Sequence, residues 1–303
     1  MKKVIFVGGT AYSGSTFFHM MLANDPKGYA CGEVRSLLAP RKPNHRNITC
    51  SCGENPCPDW QQIKEKNTEN WVQNFFDIHP DVDILVASSK SPIWIQQQNL
   101  QLKNQGIDCR NILIWKTPAE FGQSMKRRGY FDQWERSFIN YYRLYASLMS
   151  EWRAVRYEDL VKNDQEVLSK ACDYLEIPYF AGKEHYWERS YHVLAGNTSA
   201  KFHLYNNEKA QAVVNNYDKE RMNFYRNIYY RAPDDEEVLA DVDRAFKENV
   251  HLKPIMNMLE GYDIDQQHVD DALRNQATMA GKDVTVRKVK DFLLTQIGRY
   301  RYG

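Results

Sequence analysis

The chain has 303 residues, 43% of them hydrophobic, and its 40 basic residues against 39 acidic ones leave a formal net charge of +1. That size suits one large or two small globular domains with a substantial core, and the charge balance excludes a global field of the kind that draws proteins to nucleic acid or anionic lipid, so any anion site must be local. No window approaches the roughly 18 apolar residues of a membrane span, and Met1-Lys2-Lys3 leads into too short an apolar run for a secretion signal. A cytoplasmic location is expected.

Residues 4–7 (Val-Ile-Phe-Val) read as a first strand. Gly8, Gly9, Thr10, Ala11, Tyr12, Ser13, Gly14, Ser15 and Thr16 follow, and Phe17, Phe18, Met20, Met21 and Leu22 predict a helix. Strand, glycine turn and helix N-terminus together make an anion cradle, because loop N–H groups and the helix dipole converge where an oxyanion sits. Counted from Gly9, the pattern is G-x4-G-S-T, the nucleoside-triphosphatase loop with Ser15 in place of its lysine. A triphosphate would lack its main counter-charge there, so a metal-free ligand with a diester-like anion fits better. The alternative is a tight Gly/Ser turn that binds nothing.

Cys31-Gly32-Glu33-Val34-Arg35 comes next. A carboxylate close to an anion cradle is repelled by the ligand, which argues for a task such as taking a proton; an ordinary surface Glu–Arg pair is the alternative. The Pro- and Asn-rich residues 40–58 lack periodicity and predict a long surface excursion, a lid or acceptor loop. Three of the six cysteines, Cys50, Cys52 and Cys57, fall in it. Their spacing is not the usual C-x2-C zinc knuckle, although Cys31 is available as a fourth ligand. Reduced structural thiols are the expectation for a cytosolic chain, with a disulfide and zinc as alternatives.

Helices are predicted over 59–76, a strand over 84–87 followed by Ser89-Lys90-Ser91-Pro92, and a strand over 112–115 followed by Lys116, with Ser124 eight residues further on. A long helix is expected over 132–150 and a strand over 153–156, followed by Tyr157-Glu158-Asp159-Leu160-Val161. The alternation predicts a parallel sheet covered by helices. Beyond it lie His192, Gly196, Asn197 and Lys201, and helices are expected to dominate from about residue 208. Residues 284–302 mix Arg287, Lys288, Lys290, Arg299 and Arg301 with Phe292, Leu293, Leu294 and Ile297. A helix packed on its own domain is the first reading of that segment, and peripheral membrane contact the second.

Taken together, these segments resemble the PAPS-dependent sulfotransferases (PAPS being 3′-phosphoadenosine 5′-phosphosulfate), of bacterial type and similar in motifs to the protein-tyrosine sulfotransferases. The resemblance covers residues 4–262 and implies a P-loop-like α/β domain over 1–262, with residues 263–303 as a helical extension. It implies that Tyr12, Ser13, Gly14, Ser15 and Thr16 hold the 5′-phosphosulfate. Lys116 and Ser124 grip the 3′-phosphate, Lys116 standing where the family has an arginine and so lacking its bidentate fork. By the same resemblance Tyr157 touches nucleotide, and Asn197 and Lys201 close over adenine and the 3′-phosphate. Glu33 is the general base, while Lys90 and Arg35 face the transferring group; Arg35 comes one residue sooner than in the family motif. No metal is implied.

Tyr12 departs from the family, which carries Lys or Arg there to help the leaving group depart. The expected reaction is sulfuryl transfer to a small-molecule or glycan acceptor, a carbohydrate or glycolipid hydroxyl first and a phenol or tyrosyl group second. A P-loop small-molecule kinase and an inactive nucleotide-binding protein are the rival readings. The 19 Tyr, 13 Phe and 7 Trp suit ring stacking and core packing equally.

Overall fold

Five short strands form one sheet, β1 (Lys3–Gly8), β2 (Gly28–Gly32), β3 (Ile84–Ala87), β4 (Asp108–Trp115) and β5 (Arg153–Arg156), hydrogen-bonded in the order β2-β3-β1-β4-β5. Every pairing is parallel. The computed structural model describes residues 2–40, 48–66, 68–204 and 230–266. The expected basic helix over 284–302, and nearly all of the expected extension, lie outside the described residues.

All of β1, β2 and β3 is buried, and so are the last five residues of β4, as strands covered on both faces must be. The covering helices are α1 (Ser15–Leu22), α2 (Arg35–Leu38), α3 (Pro58–Glu65), α4 (Trp71–Ile78), α5 (Pro92–Asn104), α6 (Pro118–Lys126), α7 (Trp134–Leu148), α8 (Tyr157–Lys162), α9 (Asp164–Leu175), α10 (Glu236–Glu248) and α11 (Leu252–Gly261). Helix α1 packs on β2, β3 and α9, whereas α5 packs on β4 and α7. Among the described residues no helix is long and apolar enough to cross a membrane.

Local chemistry sets where the helices begin. Thr117 caps α6 with a complete capping box, its hydroxyl accepting from the Glu120 N–H while the Glu120 carboxylate accepts from the Thr117 N–H at 2.7 Å, and Pro118 opens the first turn. That cap ends the extended run at Lys116. Ser91 and Pro92 do the same for α5, directly after Lys90.

Two expectations are corrected. β2 was not expected as a strand; its Gly-Tyr-Ala-Cys-Gly sequence lacks a β-branched run, and it forms because β3 offers it a paired edge. The helices expected over 59–76 are α3 and α4, with Thr68–Asn70 forming a 3-10 turn directly before α4. Residues 48–58 do not project as a surface excursion: Cys50, Ser51 and Cys57 are buried, and Cys50 bridges antiparallel to Leu194. Tertiary hydrogen bonds supply what local periodicity does not.

Phe6 sits at the centre of the core, fully buried and edge-on to Trp94 with ring centroids 5.7 Å apart. Phe6→Ala is expected to lower unfolding free energy by about 3–5 kcal/mol, the cost of truncating a buried aromatic, as read from urea denaturation.

Candidate active site

In an open α/β sheet, ligands bind beyond the carboxyl ends of the strands, where the strand order reverses. Here the chain runs out from β1 to β2, returns through β3, and crosses to β4 on the other side of β1, so the reversal flanks β1. At that edge each strand delivers one of the expected residues: Glu33 after β2, Lys90 shortly after β3, the Gly9–Thr16 loop after β1, Lys116 after β4 and Tyr157 after β5.

The loop is shaped by left-handed backbone. Tyr12 has φ 66°, an uncommon conformation for a side-chain-bearing residue and one that marks functional loops. Gly14 has φ 96° and opens α1. A Cβ on Gly14 would come 2.6 Å from the Tyr157 ring, so only glycine permits this contact between the loop and the start of α8. Ser13 is buried and its Oγ has no hydrogen-bond partner among the described residues, the state expected of a donor set for an anion. The Tyr141 hydroxyl accepts from the Gly9 N–H at 2.7 Å and steadies the loop from α7.

On the β4–β5 side, Lys116 Nζ lies 3.5 Å from Ser124 Oγ and 4.3 Å from the centre of the Tyr157 ring, which packs edge-on against Phe17. Lys116, Ser124, Tyr157 and the loop are therefore one assembly. On the β2–β3 side, Lys90 and Glu33 form an ion pair, and the Arg35 N–H donates to Ser89 Oγ at 3.1 Å. Asn197 and Lys201 arrive from the segment after residue 190. The Asn197 N–H donates to Thr16 Oγ1 at 3.0 Å, and Lys201 is buried. All the expected residues thus flank one edge, Arg35 joining it through its backbone.

Burial pushes two of the lysines down. Lys116 falls from an ordinary 10.5 to about 8, chiefly through burial, with Arg127 adding repulsion against the opposing pull of Glu120. Lys201 also falls to about 8 through burial, with Lys90 adding repulsion against Glu33 and Cys50. Burial therefore lowers both lysines that flank the loop.

Two residues passed over in the sequence belong here. His19, one turn into α1, is fully buried; its Nδ1 lies 3.1 Å from the Ser15 carbonyl oxygen, and its Nε2 has no partner among the described residues. Burial, with the charges of Lys201 and Lys90, pushes it down to about 3, so it is neutral. A histidine inside an apolar helix pattern carries no local sign of this. Arg128 lies over the Tyr12 ring, its guanidinium carbon 4.9 Å from the ring centre. A cation is thus placed beside Tyr12 from beyond α6. Cys31, available in the sequence as a zinc ligand, instead donates its thiol to the Val86 carbonyl at 3.1 Å within the sheet.

No family model matches the chain, and no curated protein matches it in sequence. Among solved structures it is similar to the sulfotransferase domain from the curacin biosynthetic pathway, with 15% identity and a TM-score of 0.42 over 81% of this chain and 98% of that one. It is also similar to the sulfotransferase domain of the Synechococcus olefin synthase, with 18% identity and a TM-score of 0.40 over 82% and 96% of the two chains. A sulfotransferase from Alicyclobacillus acidocaldarius aligns at 10% identity with a TM-score of 0.40, over 73% of this chain and 99% of that one.

Lys116 and Lys201 discharge as pH rises through about 8. Affinity for an anion without its own titration in that range, such as inorganic sulfate, is therefore expected to fall between pH 7 and pH 9 in calorimetric titrations. Without ligand the sign reverses: between about 8 and 10.5 the unfolded chain binds more protons at these two lysines than the folded one, so they add stability as pH rises through that window.

Proposed function

We propose that this chain is a sulfotransferase that moves the sulfuryl group of PAPS to an acceptor hydroxyl. The observation that carries the reading is the charge layout: Ser15 occupies the triphosphatase lysine position, while Lys116, Lys90 and Lys201 approach the cradle from other elements. A ligand with two separate anionic ends, a 5′-phosphosulfate and a 3′-phosphate, matches cations distributed in this way. A Mg²⁺-bound triphosphate calls for a lysine within the loop.

In this reading the Gly14, Ser15 and Thr16 N–H groups and the hydroxyls of Ser13, Ser15 and Thr16 serve the 5′ end, and Lys116 with Ser124 serves the 3′-phosphate beside Tyr157. Asn197 and Lys201 close the site from the opposite side. The acceptor oxygen attacks sulfur, the bond from sulfur to the 5′-phosphate oxygen breaks, and the acceptor's proton passes to Glu33. Negative charge grows on the departing phosphate at the N-terminus of α1, where fixed N–H dipoles need no reorganisation to meet it. Lys90, paired with Glu33, offers the transferring oxygens a cation next to the base, and Arg35 is held at the same corner through Ser89. Positioning supplies the remaining rate enhancement. Arg128 over Tyr12 takes the part of the family's loop cation. The acceptor we propose is a carbohydrate or glycolipid hydroxyl, on the bacterial type of the resemblance, with a phenolic or tyrosyl group as the alternative that an acceptor screen with labelled donor distinguishes.

A thermal-shift comparison tests the donor. 3′,5′-Adenosine bisphosphate is expected to raise the melting temperature and ATP·Mg²⁺ to leave it nearly unchanged; the reverse result identifies a kinase. Glu33→Gln and Lys90→Ala are each expected to lower turnover by at least ~100-fold, the usual loss for a general base or an oxyanion donor. Near-normal turnover in both overturns the mechanism. Arg128→Ala is expected to lower kcat by roughly tenfold, the loss of about 1.4 kcal/mol of transition-state stabilisation, with bisphosphate affinity nearly unchanged by calorimetry.

A further inference from the structure

Away from the proposed chemistry, three thiols and one imidazole meet. One ligand atom each from Cys50, Cys52, Cys57 and His192 lies within 4.8 Å of all the others, and Cys57 Sγ is 3.1 Å from His192 Nδ1. The three cysteines come from one short loop and the histidine from a segment 135 residues beyond Cys57. Cys50 and Cys57 are buried, Cys52 and His192 half-buried, and all four cysteine and histidine side chains are free of disulfide bonding.

We propose that this group is a structural zinc site of the Cys3His type. Four soft or borderline donors with no carboxylate among them select zinc over calcium or magnesium. Tetrahedral zinc with ordinary Zn–S and Zn–N bonds holds its ligand atoms about 3.5–3.8 Å apart, so a group spanning 4.8 Å needs only small side-chain adjustments to close on the ion. With all four positions taken by protein, no position is left for water or substrate, which makes the role structural and independent of the sulfuryl-transfer reading.

The surroundings fit the same assignment. A metal-bound histidine is usually oriented by a carboxylate at its other ring nitrogen. Here His192 Nε2 faces Asp59 Oδ2 at 4.0 Å, and Asp59 is itself held by the Tyr29 hydroxyl at 3.3 Å and lies 3.5 Å from His79 Nε2. Backbone bonds fix the histidine against the cysteine loop on both sides. Trp60 Nε1 donates to the His192 carbonyl at 2.6 Å, the Ser51 N–H donates to the Val193 carbonyl at 3.0 Å, and Ser51 Oγ donates to the Tyr191 carbonyl at 2.6 Å. The Gly53 N–H folds back on the Cys50 carbonyl at 3.1 Å, a turn that brings Cys50 and Cys52 to one side despite the short spacing between them.

A zinc ion here would tie two segments that carry site residues. The segment after His192 accepts the Glu33 N–H at the Leu194 carbonyl, 2.9 Å, and donates the Asn197 N–H to Thr16. Metal binding takes three thiols to thiolates and releases their protons to solvent.

The test is metal analysis by plasma mass spectrometry of the full-length chain, purified without a polyhistidine tag and supplied with zinc. One zinc per chain is expected, lost or sharply reduced in Cys57→Ser and in His192→Ala and kept in Cys31→Ser. Asp59→Asn is expected to weaken zinc about 10–100-fold in competition with a chelator, as loss of a partner to a ligating histidine does. Should the ligand variants fail to fold, cobalt-substituted wild type decides, since thiolate-to-cobalt charge transfer and tetrahedral ligand-field bands appear only if the cysteines bind. Zinc well below one per chain, zinc retained in both ligand variants, a disulfide among Cys50, Cys52 and Cys57 in the purified chain, or cobalt without thiolate bands overturns the proposal.

Discussion

The parallel direction of all five strands is the constraint on which the rest depends. A parallel sheet buried on both faces cannot turn back on itself; each strand must leave at the same edge and return through a helix. The carboxyl edge therefore gathers a residue from every strand end, and the candidate site residues fall there: Glu33, Lys90, the Gly9–Thr16 loop, Lys116 and Tyr157. Register carries this further. Because β1 pairs with both β3 and β4, a slip of one residue in any of the three would move the loop relative to Lys90 or Lys116 and turn buried faces outward. The Gly14–Tyr157 contact adds a direct link across the sheet between the loop after β1 and the end of β5.

Electrostatics at that edge is set by burial together with neighbouring charges of both signs. Two unit charges about 4 Å apart at an effective dielectric near 20 interact by about 4 kcal/mol, large against the few kcal/mol by which domains are stable. Lys201 feels repulsion from Lys90, and Lys116 from Arg127, while burial denies both lysines part of their hydration. His19, between the loop and Lys201, has given up its proton altogether. Glu33 is the main opposing charge on the Lys90 side, and it is engaged by Lys90. On the proposed reading, an arriving dianion would relieve this repulsion.

Much of this layout was legible in the residues. The runs at 4–7, 84–87 and 112–115 are rich in β-branched or large apolar side chains and form β1, β3 and the end of β4, while 153–156, with Val155 alone of that kind, forms β5. Their strand ends pointed to Lys90, Lys116 and Tyr157, and glycine spacing pointed to the loop. β2 was not legible, because a Gly-Tyr-Ala-Cys-Gly stretch forms a strand only when a neighbouring edge is offered to it. Residues 48–58 misled for the opposite reason. Their Pro and Asn content marks the absence of periodic structure, which was right, but burial there comes from partners near residue 192 that no local window contains. His192 lies in the segment that leads to Asn197 and Lys201, and its imidazole sits beside Cys57, a pairing no local window contains. Arg128 and His19 are not legible because the fold alone brings them to this edge, Arg128 over the Tyr12 ring and His19 near the charges of Lys201 and Lys90.

The segment from Tyr191 to Asn197 shows how the irregular part of the chain bears on the regular part. It has no helix or strand of its own, yet Val193 and Leu194 are buried, so its peptide groups must find partners in other elements. They do so on two sides: Tyr191, Val193 and Ala195 bond to residues 49–51, whereas Leu194 bonds to the end of β2 and to Glu33. Gly32 completes the junction, since its φ of 72° and the Leu194 backbone pressed against it leave no room for a Cβ. The proposed base therefore takes its backbone position from a segment that is itself positioned by the cysteine loop. Asn197, at the far end of the same segment, reaches Thr16 in the first turn of α1. A disturbance of the Cys50–Cys57 loop would thus be felt at Glu33 and at the phosphate cradle together, while Lys116, Ser124 and Tyr157, which depend on β4, α6 and β5, would keep their arrangement. The two halves of the proposed site rest on different supports, and the half with Glu33 and the Thr16 end of the loop rests on the irregular one.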